Sequence, residues 1–351
     1  MLGSPYPEFR HGEKGGPVSL DDARSLALGR GRARARDRRA LVALVLTATL
    51  AVSLAAAHAL RPATAGAGPG SALRVVTTTT FVDDAVRAVG GRDVSTVRLM
   101  GPGVDPHLYQ AKASDLRELR RADAVVAVGL YLEGSLMRTL DAVSESTPVL
   151  YAGEAVPPED LLSPPPGSAP EEEYDPHVWF EPRLWVHVVN AITARLAALD
   201  PAHADDYRRR GADYRERVLE LAGQVRAELA DIPEQRRVLV TSHDAFRYFG
   251  RAFELEVVAI QGISTQQEAS TADLDRVADV VAERRVPSVF VETSMPGRTL
   301  DAVLAAVRAR GGEARLGAPL YSDSTGADGT PEGGYAGMLL ANARRIAEGL
   351  R

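Results

Sequence analysis

From Leu73 onward, short apolar runs alternate with segments whose apolar residues recur every three or four positions. Leu73–Thr78 is β-branched and reads as a strand, Phe81–Val89 has helical spacing, and Val94–Met100 is strand-like again. Ser114 offers an N-cap to a helix over Asp115–Asp123, and Ala124–Val128 is a short buried strand that stops at Gly129. Residues 153–176 break the alternation with seven prolines and the run Glu171-Glu172-Glu173, a length of loop that usually serves a function or is disordered. Over Ala202–Ile232, apolar positions fall at Tyr207, Tyr214, Val218, Leu221, Val225, Leu229 and Ile232, with Asp200-Pro201 before and Pro233 after. Such a helix is about 45 Å long, more than one small lobe needs. Beyond it Arg237–Thr241, Glu256–Ile260 and Val286–Val291 read as strands, Ser270 and Asp273 form a capping-box pair, and Met295–Arg308 is helical. The pattern predicts an α/β protein of two lobes, each a mostly parallel sheet flanked by helices, joined by one long helix.

The first seventy residues do not share this pattern. Residues 1–39 read as a disordered region that ends in a basic block, Arg30 to Arg39. Residues 40–60 carry no charge and, as a helix, span about 31 Å, enough for a bilayer. Arginines on the N-terminal side alone orient the rest of the chain to the outside. Ala57-His58-Ala59 and Ala63-Thr64-Ala65 both suit a signal peptidase, so the segment reads as a signal peptide or an uncleaved anchor. Residues 61–72 form a linker, residues 73–200 a first lobe, 201–232 the joining helix and 233–351 a second lobe. The expectation is an extracytoplasmic protein.

Net charge is −6, which gives nucleic acid no general attraction. The chain has no cysteine, which excludes disulfides, thiolate ligands and a lipid-modified cysteine.

Of the seven histidines, two stand in a repeated Asp-Pro-His, at Asp105-Pro106-His107 and Asp175-Pro176-His177. His243 follows the run Val238–Ser242, and Asp323 lies in Tyr321-Ser322-Asp323-Ser324 after Leu316–Leu320. Each sits in a loop beside a predicted element, where open α/β sheets bind ligands. Three imidazoles and a carboxylate, two residues from each lobe, suit zinc, manganese, iron or nickel and are too nitrogen-rich for calcium or magnesium. Asp105 and Asp175 are candidates either to hold a ring N–H or to cap a turn, with the turn role favoured for at least one. His11, His58, His187 and His203 read as surface residues.

The segments Gly101–His107, Asp175–Trp179, Thr241–Phe246 with Tyr248-Phe249, Gln261–Thr265, Phe290–Glu292 and Leu320–Ser324 resemble those of the zinc- and manganese-specific substrate-binding proteins of ABC transporters. The resemblance covers about residues 73–351. It implies that His107, His177, His243 and Asp323 bind the metal, and that the chain is a monomeric carrier, not an enzyme, with a membrane permease as partner. It further implies that Zn²⁺, or Mn²⁺ next, is carried as cargo. Histidine at 243 is similar to the branch that takes zinc, or zinc and manganese both. The acidic loop lacks the histidines found in many zinc-binding members, and the missing cysteine departs from the lipoprotein pattern.

Two other readings stand beside this one. An exported zinc-dependent hydrolase would use Glu292 as its base, although a fourth protein ligand at Asp323 leaves no open position for water. A haem- or siderophore-binding protein of the same plan would need an extended groove that the sequence does not supply.

Overall fold

The structure, a computed structural model, describes residues 72–351 apart from Pro296. Strands β1 (Leu73–Thr77), β2 (Val94–Arg98), β3 (Ala124–Ala127) and β4 (Val149–Tyr151) form one parallel sheet in the order β2-β1-β3-β4. Helices α1 (Thr80–Gly90), α2 (Ala113–Arg121) and α3 (Met137–Ser144) make the crossovers. Every residue of β3 is buried, as expected of a central strand with both faces covered.

The second half repeats this plan. Strands β5 (Val238–Thr241), β6 (Glu256–Ala259), β7 (Ser288–Val289) and β8 (Arg315–Leu316) alternate with α6 (Arg247–Phe253), α7 (Thr271–Glu283) and α8 (Arg298–Ala309). β5 pairs with β6 and β7 with β8, all parallel. The two pairs meet where Phe290 bridges Thr241 and donates its N–H to the Val240 carbonyl at 2.8 Å. The order is therefore β6-β5-β7-β8, which corresponds strand for strand to the first sheet.

Between the sheets in sequence run α4 (Pro182–Leu199) and α5 (Ala204–Leu229). The latter is about 39 Å long at 1.5 Å per residue. It packs on α1 and α4 beside the first sheet and on α9 (Tyr335–Leu350) and α6 beside the second. Its buried stripe is Tyr207, Gly211, Tyr214, Val218, Leu221, Val225 and Leu229, the spacing expected from sequence with Gly211 added. Gly211 is needed because a β-carbon there would lie 2.3 Å from the Thr193 hydroxyl of α4. The helix stops short of the predicted Ala202–Ile232 because Pro201–His203 forms a 3₁₀ turn and Pro233 cannot continue it.

Two sequence expectations need correction. Ser114 does not cap α2, which begins one residue earlier with the Asp115 carboxylate accepting the Lys112 N–H at 2.7 Å. Helices α3, α6 and α9 and strand β4 were absent from the predicted pattern. By contrast, the capping box of α7 is present, with the Ser270 hydroxyl accepting from Asp273 N–H and the Asp273 carboxylate accepting from Ser270 N–H.

The main apolar cluster is continuous across both sheets. Phe180 stacks on Phe246 at 4.5 Å and Trp185 on Tyr335 at 5.5 Å, so aromatic rings from the two halves interlock directly. Among the described residues no helix is long and apolar enough to cross a membrane. The expected regions 1–39 and 40–60, and the linker apart from Ala72, lie outside the described residues.

Candidate metal centre

His107, His177, His243 and Asp323, each predicted from sequence, come together: one donor atom from each lies within 4.8 Å of all the others. The rings of His107, His177 and His243 are 5.4–6.0 Å apart, centroid to centroid. All four side chains are buried.

His107 follows β2 through Gly101-Pro102-Gly103-Val104-Asp105-Pro106. Gly103 adopts φ +73°, a left-handed conformation that favours glycine, and its N–H donates to the Ser324 hydroxyl at 2.8 Å. His177 ends the proline-rich loop and opens the 3₁₀ turn Val178–Phe180. The indole N–H of Trp179 in that turn donates to the Ser322 carbonyl at 3.0 Å, tying the His177 turn to the Asp323 loop. His243 is the second residue after β5. Asp323 follows Leu320, which bridges Glu292 in parallel register.

The outward-facing atom of each ring is fixed by what holds the other. His177 Nδ1 is 2.8 Å from Asp175 Oδ1, which also accepts the His177 N–H at 3.1 Å. His243 Nδ1 is hydrogen-bonded to Glu292 Oε2, while Glu292 Oε1 accepts from Ser242 N–H at 2.7 Å and His243 N–H at 3.1 Å. Both rings therefore donate from Nδ1 and turn Nε2 inward. The Ser294 and Ser322 hydroxyls donate to Asp323 Oδ2 at 2.8 and 3.1 Å, which leaves Oδ1 free. The two Asp-Pro-His copies differ: Asp175 both caps its turn and orients its imidazole, whereas Asp105 Oδ1 accepts the His107 N–H at 2.9 Å. Asp105 Oδ2 instead takes the Thr265 hydroxyl at 2.6 Å.

The result is four buried polar atoms with no hydrogen-bond partner: Nε2 of His107, His177 and His243, and Oδ1 of Asp323. Such atoms are costly to leave unpaired, and here they face one another. Asp323 Oδ1 lies 3.5 Å from His177 Nε2 and 3.4 Å from His243 Nε2. Donors about 2.0–2.1 Å from a tetrahedral zinc would be about 3.3 Å apart. The spacing and the donor set fit one transition-metal ion.

Burial pushes the His107 imidazole down to about 3, so it is neutral at physiological pH. Burial acts the same way on His177 and His243, but the carboxylates outweigh it and raise both: Asp175 and Asp323 for His177, Glu292 and Asp323 for His243. Burial alone would raise Asp323, yet the His243, His177 and His107 rings hold it well below the usual carboxylate range. The cluster therefore attracts positive charge while keeping a permanent anion.

Sequence reasoning treated Glu292 as a candidate base, and the structure places it behind His243 with both oxygens engaged. It did not identify Ser294, Ser322 or Trp179 as supports. The position of Trp179, two residues after His177, was the one available signal. His187 and His203 lie outside the cluster, and His203 pairs with Asp200 at 2.6 Å. His11 and His58 fall outside the described residues.

Residues 75–349 match the family described as the periplasmic component A of a zinc-uptake complex, ZnuA. The manganese-binding lipoprotein MntA of Bacillus subtilis is 39% identical over 279 residues, covering 80% of this chain and 90% of that one. The zinc-binding protein TroA of Treponema pallidum is 40% identical over 276 residues, covering 79% and 88%. The solved structure of periplasmic zinc-binding TroA from Treponema pallidum superposes with a TM-score of 0.76 at 39% identity, covering 80% of this chain and 99% of the other. With the two-sheet fold, the family match over nearly all of the described residues and relatives near 40% identity in agreement, this chain belongs to the ZnuA family of metal-binding transport proteins.

Proposed function

We propose that this protein captures a divalent transition metal outside the cytoplasm, zinc first and manganese next, and delivers it to an ABC transporter permease. His107, His177, His243 and Asp323 are the ligands. The observation that carries this reading is the convergence of four buried, unpartnered donor atoms on one another. A single cation would satisfy all four at once, and each imidazole and carboxylate is a standard ligand for zinc. Relatives named for zinc and for manganese support both ions as cargo.

The protein acts as a carrier and not as a hydrolase. Four protein ligands complete a tetrahedral site, and Glu292 has no free oxygen with which to activate a water. It works as a monomer, exported through residues 40–60, which either anchor it or are cleaved. Zinc titration by calorimetry tests the ligand set. His243→Ala removes one of four donors and weakens zinc binding steeply, while unchanged affinity in the folded variant would refute the assignment.

A further inference from the structure

The ligands are supported unequally. His243 and Asp323 are held from their own half, by Glu292 and by Ser294 and Ser322. His107 has no carboxylate on its ring. Its loop is held from the other half by Ser324, through Gly103 N–H, and by the segment Gln261–Gln267 after β6, which occupies the place that the His107 loop occupies after β2. The Thr265 hydroxyl donates to Asp105 Oδ2 at 2.6 Å, and the Gln266 side-chain amide donates to the His107 carbonyl at 3.2 Å. Ser135, from the first half, donates to that same carbonyl at 2.9 Å.

His107 borders a small hollow lined by Leu130, Tyr131, Glu172, Pro176, Ile263 and Ser264, with no room for a water molecule. Ile263 and Ser264 belong to the same segment as Thr265. On one side, then, the ion is enclosed by His107 and by the loop that grips it. The gripped loop carries Gly101 and Gly103, and the space around Gly101 is open, with nothing within 4 Å of a β-carbon built there.

Resting on the proposed function, we infer that Thr265 and Gln266 are positioning residues that set the rate of metal release, with His107 the ligand that departs first. Opening the Thr265–Asp105 and Gln266–His107 contacts leaves the His107 loop held only by Ser135 and by the Gly103–Ser324 hydrogen bond, which loosens it and widens the hollow, while His243 and Asp323 keep their places.

The experiment measures zinc dissociation from the full chain by stopped flow into an excess of chelator. A hydroxyl-to-carboxylate hydrogen bond is worth about tenfold or more in an equilibrium. Thr265→Val is expected to speed release by about tenfold with little change in the association rate, and Thr265→Ser is expected to restore the native rate. Gln266→Leu, at an exposed position that leaves the core intact, is expected to speed release by severalfold. The cobalt-loaded Thr265→Val protein keeps a four-coordinate visible spectrum, because the ligands themselves are unchanged. Native release rates in both Thr265→Val and Gln266→Leu would overturn the inference, as would equal acceleration in Thr265→Val and Thr265→Ser. If the native protein binds no zinc, the failure lies with the proposed function; if it binds zinc and the variants release it at the native rate, only this inference falls.

Discussion

Glu292→Gln separates the role of a supporting carboxylate from that of a base. The side chain is fully buried and keeps its volume on substitution, so packing is conserved. What changes is its hydrogen-bond inventory. The native carboxylate accepts three hydrogen bonds, from Ser242 N–H, His243 N–H and His243 Nδ1–H. A glutamine has one carbonyl oxygen and one amide donor. If that oxygen keeps the two backbone N–H groups, the NH₂ faces His243 Nδ1, and the ring must give up its Nδ1 proton to accept. The proton then moves to Nε2, the atom 3.4 Å from Asp323 Oδ1 that the metal needs. If the amide turns the other way, two buried N–H groups are left facing a donor, at about 1–3 kcal/mol each. Both outcomes oppose binding.

Losing an outer support of this kind costs about 10- to 100-fold in metal affinity, or about 1.4–2.7 kcal/mol. Competition against a fluorescent zinc chelator, with circular dichroism to confirm the fold, measures the effect. A dissociation constant within about twofold of native would refute the tautomer argument. The same protein tests the hydrolase alternative, because a base lost at position 292 would remove turnover of esters or phosphates that the native zinc-loaded protein would have to show.

Metal affinity should fall as the pH falls, and the sign follows from the imidazoles. His177 and His243 are raised by their carboxylates, so the metal-free site holds protons on them that the ion must displace; affinity rises with pH up to those raised values and levels off above them. His107, pushed down to about 3, gives up no proton near neutrality, and calorimetry in buffers of different ionisation enthalpy should count protons from two rings and not three. Metal removal should lower thermal stability: free zinc at 1,000 times its dissociation constant adds about 4 kcal/mol, which for a domain of this size raises the melting temperature by roughly 7 °C. A chelator should reverse that shift in differential scanning calorimetry, and an unchanged melting temperature would count against binding to the folded state.

The four candidate ligands were legible because their chemistry is rare and local. Three histidines and an aspartate in loops announce themselves by type and position, with no knowledge of contacts required. The supports were less legible, because each depends on residues far apart in sequence. Asp105 and Asp175 share the same tripeptide, yet only Asp175 reaches its imidazole; the partner of Asp105 is Thr265, 160 positions away. Helix α9 escaped notice because it is buried on most sides, from Tyr335 and Met338 to Ile346 and Leu350, and shows no clean polar face. Strand β7 was read from sequence as the longer Val286–Val291, whereas β8, at two residues, is too short for a period to emerge. The long helix α5 was visible because one side is solvent and the other is core over all its turns.

The arrangement of the core bears on how the ion can leave. Swinging the two halves apart as rigid bodies would pull Phe180 from Phe246 and Trp185 from Tyr335, and would break the Trp179–Ser322 and Tyr335–Trp179 hydrogen bonds. Re-exposing the Phe180 and Phe246 rings alone costs about 3–6 kcal/mol, before the rest of a continuous apolar cluster is counted. Freeing the His107 loop breaks the Thr265–Asp105 hydrogen bond, at about 1.5–3 kcal/mol for a charged acceptor, and weaker neutral contacts at His107 O and between Gly103 N–H and the Ser324 hydroxyl. The loop is therefore the cheaper element to move, and the aromatic seam acts as the fixed frame against which it moves. On the proposed function, His243 and Asp323 would stay assembled through capture and release while the His107 loop moves.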